Sequence, residues 1–137
     1  MQLTKEALTG LRLPVERVEL GDLTGTEDDH VFVRGLSATE RDRWEQSCWR
    51  GRGAKRTFDG TDARARLIGL CLVNEQGARV FSDAEVKTVG NIRADLAERI
   101  FDAGRRLSAI GDQDADDLDA RSAPAGSSGS PSSLPSN

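Results

Sequence analysis

A short strand that leads into a capped helix is predicted by the segment VFVRGLSATERDRWE, residues Val31–Glu45. The two valines of His30–Arg34 alternate with larger side chains, as in a strand whose two faces differ. Ser37 stands three residues before Glu40, the spacing of a capping box, in which each side chain accepts a hydrogen bond from a free backbone N–H of the first turn. The segment therefore predicts a strand over His30–Arg34 and a helix from Ser37 to about Trp49.

A second β-rich run, Val15–Leu20, precedes this segment. The intervening stretch Gly21–Asp29 is rich in Gly, Asp and Thr, a composition typical of a loop. It is longer than a tight turn but short enough for an open hairpin. The sequence therefore predicts that the two strands pair as an N-terminal β-hairpin.

An apolar run, Leu67–Val73, follows a segment that we interpret as a break, Arg50–Thr61. Periodicity alone does not separate a buried helix from a buried strand over so short a run. The Ala and Arg residues just before it favour a helix, which Asp62 would cap. The run is therefore predicted to be a core element whose type stays open.

The next signals predict a turn and a short helix. The composition of Asn74–Gly77 is typical of a turn. Ser82 and Glu85 have the spacing of a second capping box. The helix that they begin is short, because Gly90 is predicted to end it.

The longest periodic segment predicts an amphipathic helix from about Asn91 to Ile110. Its apolar residues recur at helical spacing and form one stripe: Ile92, Leu96, Ile100, Ala103 and Leu107. Acid-before-base pairs at i,i+4, Asp95–Arg99 and Asp102–Arg106, are predicted to support it. The stripe either packs on its own domain or serves self-association or a partner helix.

The order β-β-α-α-(β)-α-α predicts a small α+β domain, mainly helical, with an N-terminal β-hairpin. We place this domain within residues 1–111. Residues 112–121 contain five Asp and are predicted to form a solvated acidic link. Residues 122–137 contain seven Ser, three Pro and two Gly and no charge. They have too few apolar side chains to fold, which predicts a disordered C-terminal tail.

The composition excludes several classes of protein. The chain has 137 residues, of which 36% are hydrophobic, a net charge of −4 and a pI of about 5.0. No apolar run approaches the ~18–20 residues of a membrane span, and residues 1–10 lack the pattern of a secretory signal. Cys48 and Cys71 form neither a disulfide framework nor a zinc motif, so a reduced, cytoplasmic location is expected. An acidic chain is also a poor general binder of nucleic acid, because phosphate contacts dominate that affinity.

The sequence contains no recognisable motif for catalysis or for cofactor binding. The single histidine, His30, lies in a predicted strand, and both cysteines lie on apolar faces, where small buried side chains are common. Residues 51–57, GRGAKRT, lack the spacing of a phosphate-binding loop. The aspartates of residues 112–117 lack the glycine and glutamate that a calcium loop requires. We therefore predict that the protein is not an enzyme and has no catalytic residue, cofactor or metal.

A basic segment is the strongest candidate for a binding surface. Residues 50–66 contain five Arg and one Lys against two Asp, in a chain that is acidic overall. Arg and Trp are enriched at the energetic centres of protein interfaces. The predicted partner-binding residues are Trp44, Trp49, Arg50, Arg52, Lys55, Arg56 and Phe58. Two alternatives stay open: a mobile loop whose tryptophans cover the core, or a small regulatory protein that binds nucleic acid through this basic loop. The second is weakened because no aromatic series for base stacking is present.

Three segments, taken in order, resemble the tail assembly chaperones of siphophages and prophages. Val31–Glu45 resembles the family's strand and capped helix. RARLIGLCLVNEQGARVFSDAEV, residues Arg64–Val86, is similar in more detail. It has an Arg-rich helix start, an aliphatic helix with a cysteine, an acidic-glycine turn, an Arg-Val-Phe piece and a Ser-Asp cap. Ile92–Gly111, followed by acidic residues, resembles the family's last helix, so that the likeness covers about residues 15–118.

This resemblance implies a role in assembly. Proteins of this family are not enzymes; they bind and solubilise the long helical tape measure protein and help tail tube subunits polymerise around it. The resemblance therefore implies the tape measure protein and the tail tube protein as partners, together with self-association. It also implies a location in the host cytoplasm and not in the mature virion. It assigns no site residue.

Overall fold

The computed structural model describes residues 1–111, and over these residues the predicted small α+β domain is confirmed. The predicted acidic link (112–121) and disordered tail (122–137) lie outside the described residues. In chain order the elements are α1 Lys5–Gly10, β1 Val15–Glu19, α2 Gly21–Thr24, β2 His30–Arg34, α3 Ala38–Ser47, β3 Trp49–Arg50, β4 Thr57–Phe58, α4 Ala63–Cys71, β5 Leu72–Val73, α5 Val86–Val89 and α6 Ala94–Leu107. Single 3-10 turns occupy Gly53–Lys55 and Asp83–Glu85.

The predicted N-terminal hairpin is confirmed. Strands β1 and β2 pair antiparallel, from Val15 opposite Arg34 to Glu19 opposite His30. The connection, predicted as an open loop, contains the short helix α2. Strand β5 pairs with the other edge of β2, which gives a sheet of order β1-β2-β5.

The apolar run whose type the sequence left open is a helix followed by a strand. Helix α4 continues through Cys71, and the backbone becomes extended at Leu72 (φ −78°, ψ 120°). Leu72 then pairs with Val33 of β2. The change from helix to strand occurs beside β2, whose buried backbone N–H and C=O groups require hydrogen-bond partners. The predicted turn Asn74–Gly77 follows, closed by a backbone hydrogen bond of 2.9 Å between its first and last residues.

Both predicted capping boxes are present. The Ser37 N–H donates to the Glu40 carboxylate at 3.0 Å, and the Glu40 N–H donates to the Ser37 hydroxyl oxygen at 3.2 Å. The box of Ser82 and Glu85 begins the 3-10 turn that leads into α5, with the Ser82 N–H 2.8 Å from the Glu85 carboxylate. Each box satisfies backbone donors that a helix start leaves without an intrahelical partner.

The prediction that Asp62 caps α4 is confirmed for its position, but its side chain forms no capping hydrogen bond. Asp62 does occupy the position before the helix, but in a left-handed conformation (φ 60°) and with no side-chain hydrogen bond to the helix backbone. Its carboxylate instead accepts a hydrogen bond of 2.6 Å from the Lys87 ammonium. An ion pair across to α5 replaces the expected local cap.

The two arginines of the pairs predicted within α6 form their hydrogen bonds with other elements. These bonds raise the pKa of Arg99 and of Arg106, and the charges of Asp95 and Asp102 add to the two shifts. The Arg99 guanidinium contacts the Asp22 carboxylate at 2.6 and 2.9 Å, and the Arg106 guanidinium contacts that of Glu16 at 2.9 and 3.1 Å. These hydrogen bonds lower the pKa of both carboxyl groups. Two-pronged pairing with a guanidinium is favoured by its geometry, so both arginines join α6 to the hairpin side of the domain and not to their own helix.

The apolar stripe of α6 packs on its own domain, so the alternative that leaves it free for self-association is wrong. The helix is shorter than predicted and packs against α4 and β2. An added Cβ at Gly104 would lie 3.0 Å from the Cys71 Sγ, which shows how closely α4 and α6 approach. The buried core comprises Val18, Leu20, Val33, Leu36, Trp44, Cys48, Ala63, Ala65, Leu67, Ile68, Cys71, Leu72, Val89, Ile100, Phe101, Ala103 and Ile110.

Candidate protein-binding surface

The basic segment that we interpreted as a break folds into a second hairpin. Strands β3 and β4 pair antiparallel, with Trp49 opposite Phe58 and Arg50 opposite Thr57. The 3-10 turn Gly53–Lys55 forms its tip. We name residues 49–58 the basic hairpin. The interpretation as an unpaired break is wrong, because the ends of the segment at Trp49 and Phe58 meet through backbone pairing that periodicity does not reveal.

Trp44, which we predicted to bind a partner, is a core residue. It is 6% exposed, and its Nε1 donates a hydrogen bond of 2.9 Å to the carbonyl oxygen of Ala63. This bond joins α3 to the start of α4. Trp44 therefore stabilises the fold and does not belong to an exposed binding surface.

Trp49, Arg56 and Phe58 form a cluster on the basic hairpin. The rings of Trp49 and Phe58 meet edge to face with their centroids 5.3 Å apart. The guanidinium carbon of Arg56 lies 4.5 Å from the centroid of the Trp49 ring, which is a cation–π contact. Both rings are half-buried and Arg56 is exposed. The hairpin thus holds aromatic area and a positive charge together at the surface.

Much of the remaining positive charge of the segment is engaged within the domain. Arg50 pairs with the Asp59 carboxylate at 3.2 Å. Hydrogen bonds from Thr61 hold the pKa of Asp59 below its usual value, and the charge of Arg50 adds to this effect. Arg66 donates to the Ser47 hydroxyl at 3.0 Å. The bond of Arg66 joins α4 to α3, and Arg50 also donates to the carbonyl oxygen of Ser47 at 3.1 Å, which joins the hairpin to α3.

Two side chains of the hairpin keep their charge exposed. The side chains of Arg52 and Lys55 form no hydrogen bond or ion pair with another of residues 1–111. Arg64, in contrast, lies over the ring of Phe101 at 4.6 Å. The exposed basic surface is therefore smaller than the sequence count suggests. Because nucleic-acid affinity grows with the number of phosphates neutralised, this weakens the nucleic-acid alternative.

The other candidates for chemistry are parts of the fold. Cys48 and Cys71 are buried, and desolvation raises the pKa of both thiols, that of Cys71 to about 11. The Nδ1 of His30 lies 2.7 Å from the carbonyl oxygen of Asp28, and its ring meets Phe32 edge to face. Within residues 1–111, no three His, Cys, Asp or Glu side chains cluster as a metal site requires. In the same range, no helix combines the length and apolar character needed to cross a membrane.

An exposed apolar segment is the feature that the sequence analysis missed. Residues 1–13, which we name the N-terminal arm, include α1 and bury no residue. Its exposed large apolar side chains are Met1, Leu3, Leu8, Leu11 and Leu13. A threonine at position 4 was the available signal in the sequence, because threonine is a common residue at a helix start. In the structure, Thr4 caps α1 and its hydroxyl oxygen accepts a hydrogen bond of 3.1 Å from the Ala7 N–H. Leu8 lies within α1, whereas Leu11 follows the helix with an extended backbone (φ −67°, ψ 135°).

A groove of about 550 Å³ lies between α4, α5 and α6, and we name it the helical groove. Its apolar lining includes Ile68, Val89, Ile92 and Ala97, and its charged lining includes Glu98. A second groove, of about 350 Å³, lies between α3, α4 and α5. Both are open clefts between helices, the kind of surface on which a further helix packs.

Comparison with known proteins assigns no family: no family model, curated protein or solved structure matches this chain. The resemblance to tail assembly chaperones therefore stays a prediction that rests on the quoted segments. Any function must be argued from them and from the surfaces of the domain.

Proposed function

We propose that this chain is a phage tail assembly chaperone, a non-enzymatic protein that binds and solubilises the tape measure protein in the host cytoplasm and aids tail tube assembly. The proposal starts from the ordered resemblance of Val31–Glu45, Arg64–Val86 and Ile92–Gly111 to that family. These segments supply β2, α3, α4, β5 and α6. The likeness therefore lies in the part of the chain that builds the core.

The basic hairpin is the observation that carries the proposal. It holds the cluster of Trp49, Arg56 and Phe58 at the surface, and the charges of Arg52 and Lys55 lie beside it. Rigid aromatic side chains supply contact area at a low cost in conformational entropy. A long protein with exposed apolar helix faces aggregates unless partners cover those faces. A small acidic chain with a net charge of −4 and such a contact surface suits that role, because its net charge keeps the complex soluble.

Co-expression with the tape measure protein of the same genome tests the proposal. We expect that protein to be insoluble when it is produced alone, to become soluble when this chain is present, and to co-purify with it. Equal solubility with and without this chain, together with separate elution of the two proteins from a sizing column, would overturn the proposal.

A matched pair of charge reversals separates binding from folding. Arg52→Glu on the basic hairpin and Arg43→Glu on α3 each replace an exposed arginine whose side chain forms no hydrogen bond or ion pair with the rest of residues 1–111. Neither change is expected to alter the free energy of unfolding by more than about 0.5 kcal/mol. We expect Arg52→Glu to reduce the yield of complex severalfold and Arg43→Glu, at a residue that lines the second groove, to leave it unchanged. A larger loss from Arg43→Glu would place the binding surface at that groove and not on the hairpin. Equal yields for both variants would mean that the hairpin is not the binding surface.

The alternative of a regulatory protein makes a different prediction in the same experiments. Binding of nucleic acid through residues 50–66 would retard DNA or RNA in a gel, and added salt would abolish the effect. A salt-dependent shift that Arg52→Glu removes, with no complex formed with the tape measure protein, would replace the chaperone proposal by this one.

A further inference from the structure

The net charge of the chain is carried by one short segment, the acidic link of residues 112–121. Of the 23 acidic and 19 basic residues of the chain, five Asp and one Arg lie in this link, and residues 122–137 carry no charge. Residues 1–111 therefore contain eighteen acidic and eighteen basic residues and are neutral overall. The negative charge of the link is thus not balanced within the link itself, and a complementary charge must come from another part of the chain or from a partner.

The basic hairpin is the complementary surface within the described residues. Its ten residues include no acidic side chain and four basic ones: Arg50, Arg52, Lys55 and Arg56. Arg52 and Lys55 are exposed, and Arg56 keeps its charge exposed beside the Trp49 ring. The N-terminal arm, by comparison, has two basic residues and one acidic residue. The hairpin is therefore a local concentration of positive charge on a domain that is neutral overall, and opposite potentials on two surfaces favour their association.

The described chain ends beside the helix that leads to the basic hairpin. Near the start of α3, the Arg41 guanidinium donates a hydrogen bond of 3.0 Å to the carbonyl oxygen of Ala109. Helix α3 ends at Ser47, and the basic hairpin begins at Trp49. At 1.5 Å per helical residue and at most ~3.6 Å per extended residue, the backbone path from Arg41 to Trp49 is about 16 Å. Arg52 lies at most about 11 Å further along the chain.

The acidic link is long enough to reach the hairpin of its own chain. Its last aspartate, Asp119, follows Ala109 by ten residues, which span up to about 33 Å. A segment that is covalently joined to its site binds as if it were present at a concentration on the order of millimolar, provided that the connection can span the distance. In a dilute solution, where other copies of the chain are at micromolar concentration, the link of the same chain is therefore the favoured occupant.

We infer that the acidic link binds the basic hairpin of its own chain, with its aspartates facing Arg52, Lys55 and Arg56. Exposed ion pairs are individually weak and are screened by salt, so the contact depends on several of them at once and is lost at high salt. The contact is autoinhibitory towards polyanions, because a nucleic acid must displace five aspartates before its phosphates reach the hairpin. The inference does not depend on the proposed function, since both surfaces belong to this chain.

Zero-length cross-linking of the full chain with a carbodiimide, followed by peptide mass spectrometry, tests the contact. The chain has three lysines, Lys5 on the N-terminal arm, Lys55 on the basic hairpin and Lys87 on α5. Lys87 lies 2.6 Å from the Asp62 carboxylate and supplies an internal standard. In the monomer fraction at about 0.01 M salt, we expect Lys55 to be joined to an aspartate of the acidic link, and we expect this product to be lost at about 1 M salt.

The same experiment names the results that would overturn the inference. One is the absence of the Lys55 product in a sample in which Lys87 is joined to Asp62. Another is an acidic link that is joined mainly to Lys5, which would place it on the N-terminal arm. The third is a Lys55 product that occurs only in the dimer fraction, which would make a second copy the occupant.

The two charge reversals supply matched variants for the cross-linking. Arg52→Glu places a negative charge on the hairpin near Lys55 and is expected to lower the yield of the Lys55 product about two- to fivefold. Arg43→Glu makes the same change of charge at an exposed residue that lines the second groove, and it should leave the yield unchanged. A yield that Arg52→Glu does not lower, or that Arg43→Glu lowers more, would overturn the inference.

The amide resonances of Gly51 and Gly53, both in the basic hairpin, report the contact without a cross-linker. The test variant is the full chain with the five Asp of the acidic link replaced by Asn. The control variant neutralises five exposed acidic side chains that form no hydrogen bond or ion pair within residues 1–111: Glu27→Gln, Asp28→Asn, Asp42→Asn, Glu75→Gln and Glu98→Gln. Both variants change the net charge by the same amount. We expect the two glycine resonances to shift in the test variant alone, and no shift, or equal shifts in both variants, would overturn the inference. Because no tape measure protein is present, none of these results decides the proposed function.

Discussion

Replacing Gly104 with alanine tests the close approach of α4 and α6. In a helix interior, alanine is more favourable than glycine by about 1 kcal/mol. The added Cβ, however, would lie 3.0 Å from the Sγ and 3.3 Å from the Cβ of Cys71. Overpacking of a well-packed core costs typically ~1–3 kcal/mol. The packing cost exceeds the gain in propensity, so we expect a net loss of about 1 kcal/mol in the free energy of unfolding.

Gly69 of α4 supplies the matched control. An added Cβ there would meet its nearest neighbours, side chains of Arg79 and Val89, at 3.7 and 3.8 Å, which are ordinary contacts. Gly69→Ala therefore keeps the gain in propensity and is expected to stabilise the domain by ~0.5–1 kcal/mol. The same substitution should therefore have opposite signs at Gly104, which faces Cys71, and at Gly69, which faces Arg79 and Val89.

A double-mutant cycle identifies the atom responsible. In a Cys71→Ala background the sulfur is absent, so Gly104→Ala should become neutral or stabilising, and the coupling free energy should reach ~1–3 kcal/mol. Urea unfolding followed by far-UV circular dichroism measures each value from the shift in midpoint at constant slope. If Gly104→Ala stabilises the domain as much as Gly69→Ala does, in both backgrounds, the packing of α6 on α4 described for this fold is refuted.

Three further predictions concern polar groups of the fold. Ser108→Ala removes the hydroxyl oxygen that accepts a hydrogen bond of 3.0 Å from the buried N–H of Leu36. We expect the free energy of unfolding, measured in urea, to fall by ~1–3 kcal/mol. A fall of less than a few tenths of a kcal/mol would contradict this prediction. Burial raises the pKa of Cys71 to about 11 from 9.0. The neutral thiol therefore contributes fully to the free energy of unfolding below pH 9, and this contribution is lost as the pH rises through 11. Stability should fall by about 2–3 kcal/mol over that range, and the Cys71→Ala profile should be flatter; two identical profiles would contradict this. Arg106→Gln should cost less than about 1 kcal/mol at pH 7 because the pair with Glu16 is partly exposed. The pair lowers the pKa of Glu16. Its contribution to the free energy of unfolding is therefore present above pH 4.5 and is lost as the pH falls through the lowered pKa. An acid-unfolding curve that is the same for Arg106→Gln and for the unchanged protein would contradict this prediction.

The elements that were predicted well have local causes. The strand His30–Arg34 and the caps at Ser37 and Ser82 depend on residues within a few positions of each other, and each is present. The turn Asn74–Gly77 depends on the side chain and conformation of its own residues. Such signals are visible in one sequence because the interacting groups are neighbours along the chain.

The errors concern groups whose partners are far away in the sequence. Trp44 was assigned to a surface because its bond to Ala63 spans nineteen residues. Arg106 was paired with a neighbour on its helix because Glu16, ninety residues away, is invisible to periodicity. The basic hairpin was missed for the same reason, since its pairing depends on the contact of Trp49 with Phe58.

The sequence by itself determined the class of the domain, its N-terminal β-hairpin and the two helix starts at Ser37 and Ser82, since these follow from spacing, capping and apolar alternation. Only the tertiary structure decided which of the candidate side chains are exposed. It placed Trp44 in the core, engaged Arg50 and Arg66 in internal contacts and left Arg52, Lys55 and the leucines of the N-terminal arm at the surface. The physical reason is that burial and ion pairing depend on which distant segments come into contact. Local sequence patterns, which reflect interactions between neighbouring residues, do not contain this information.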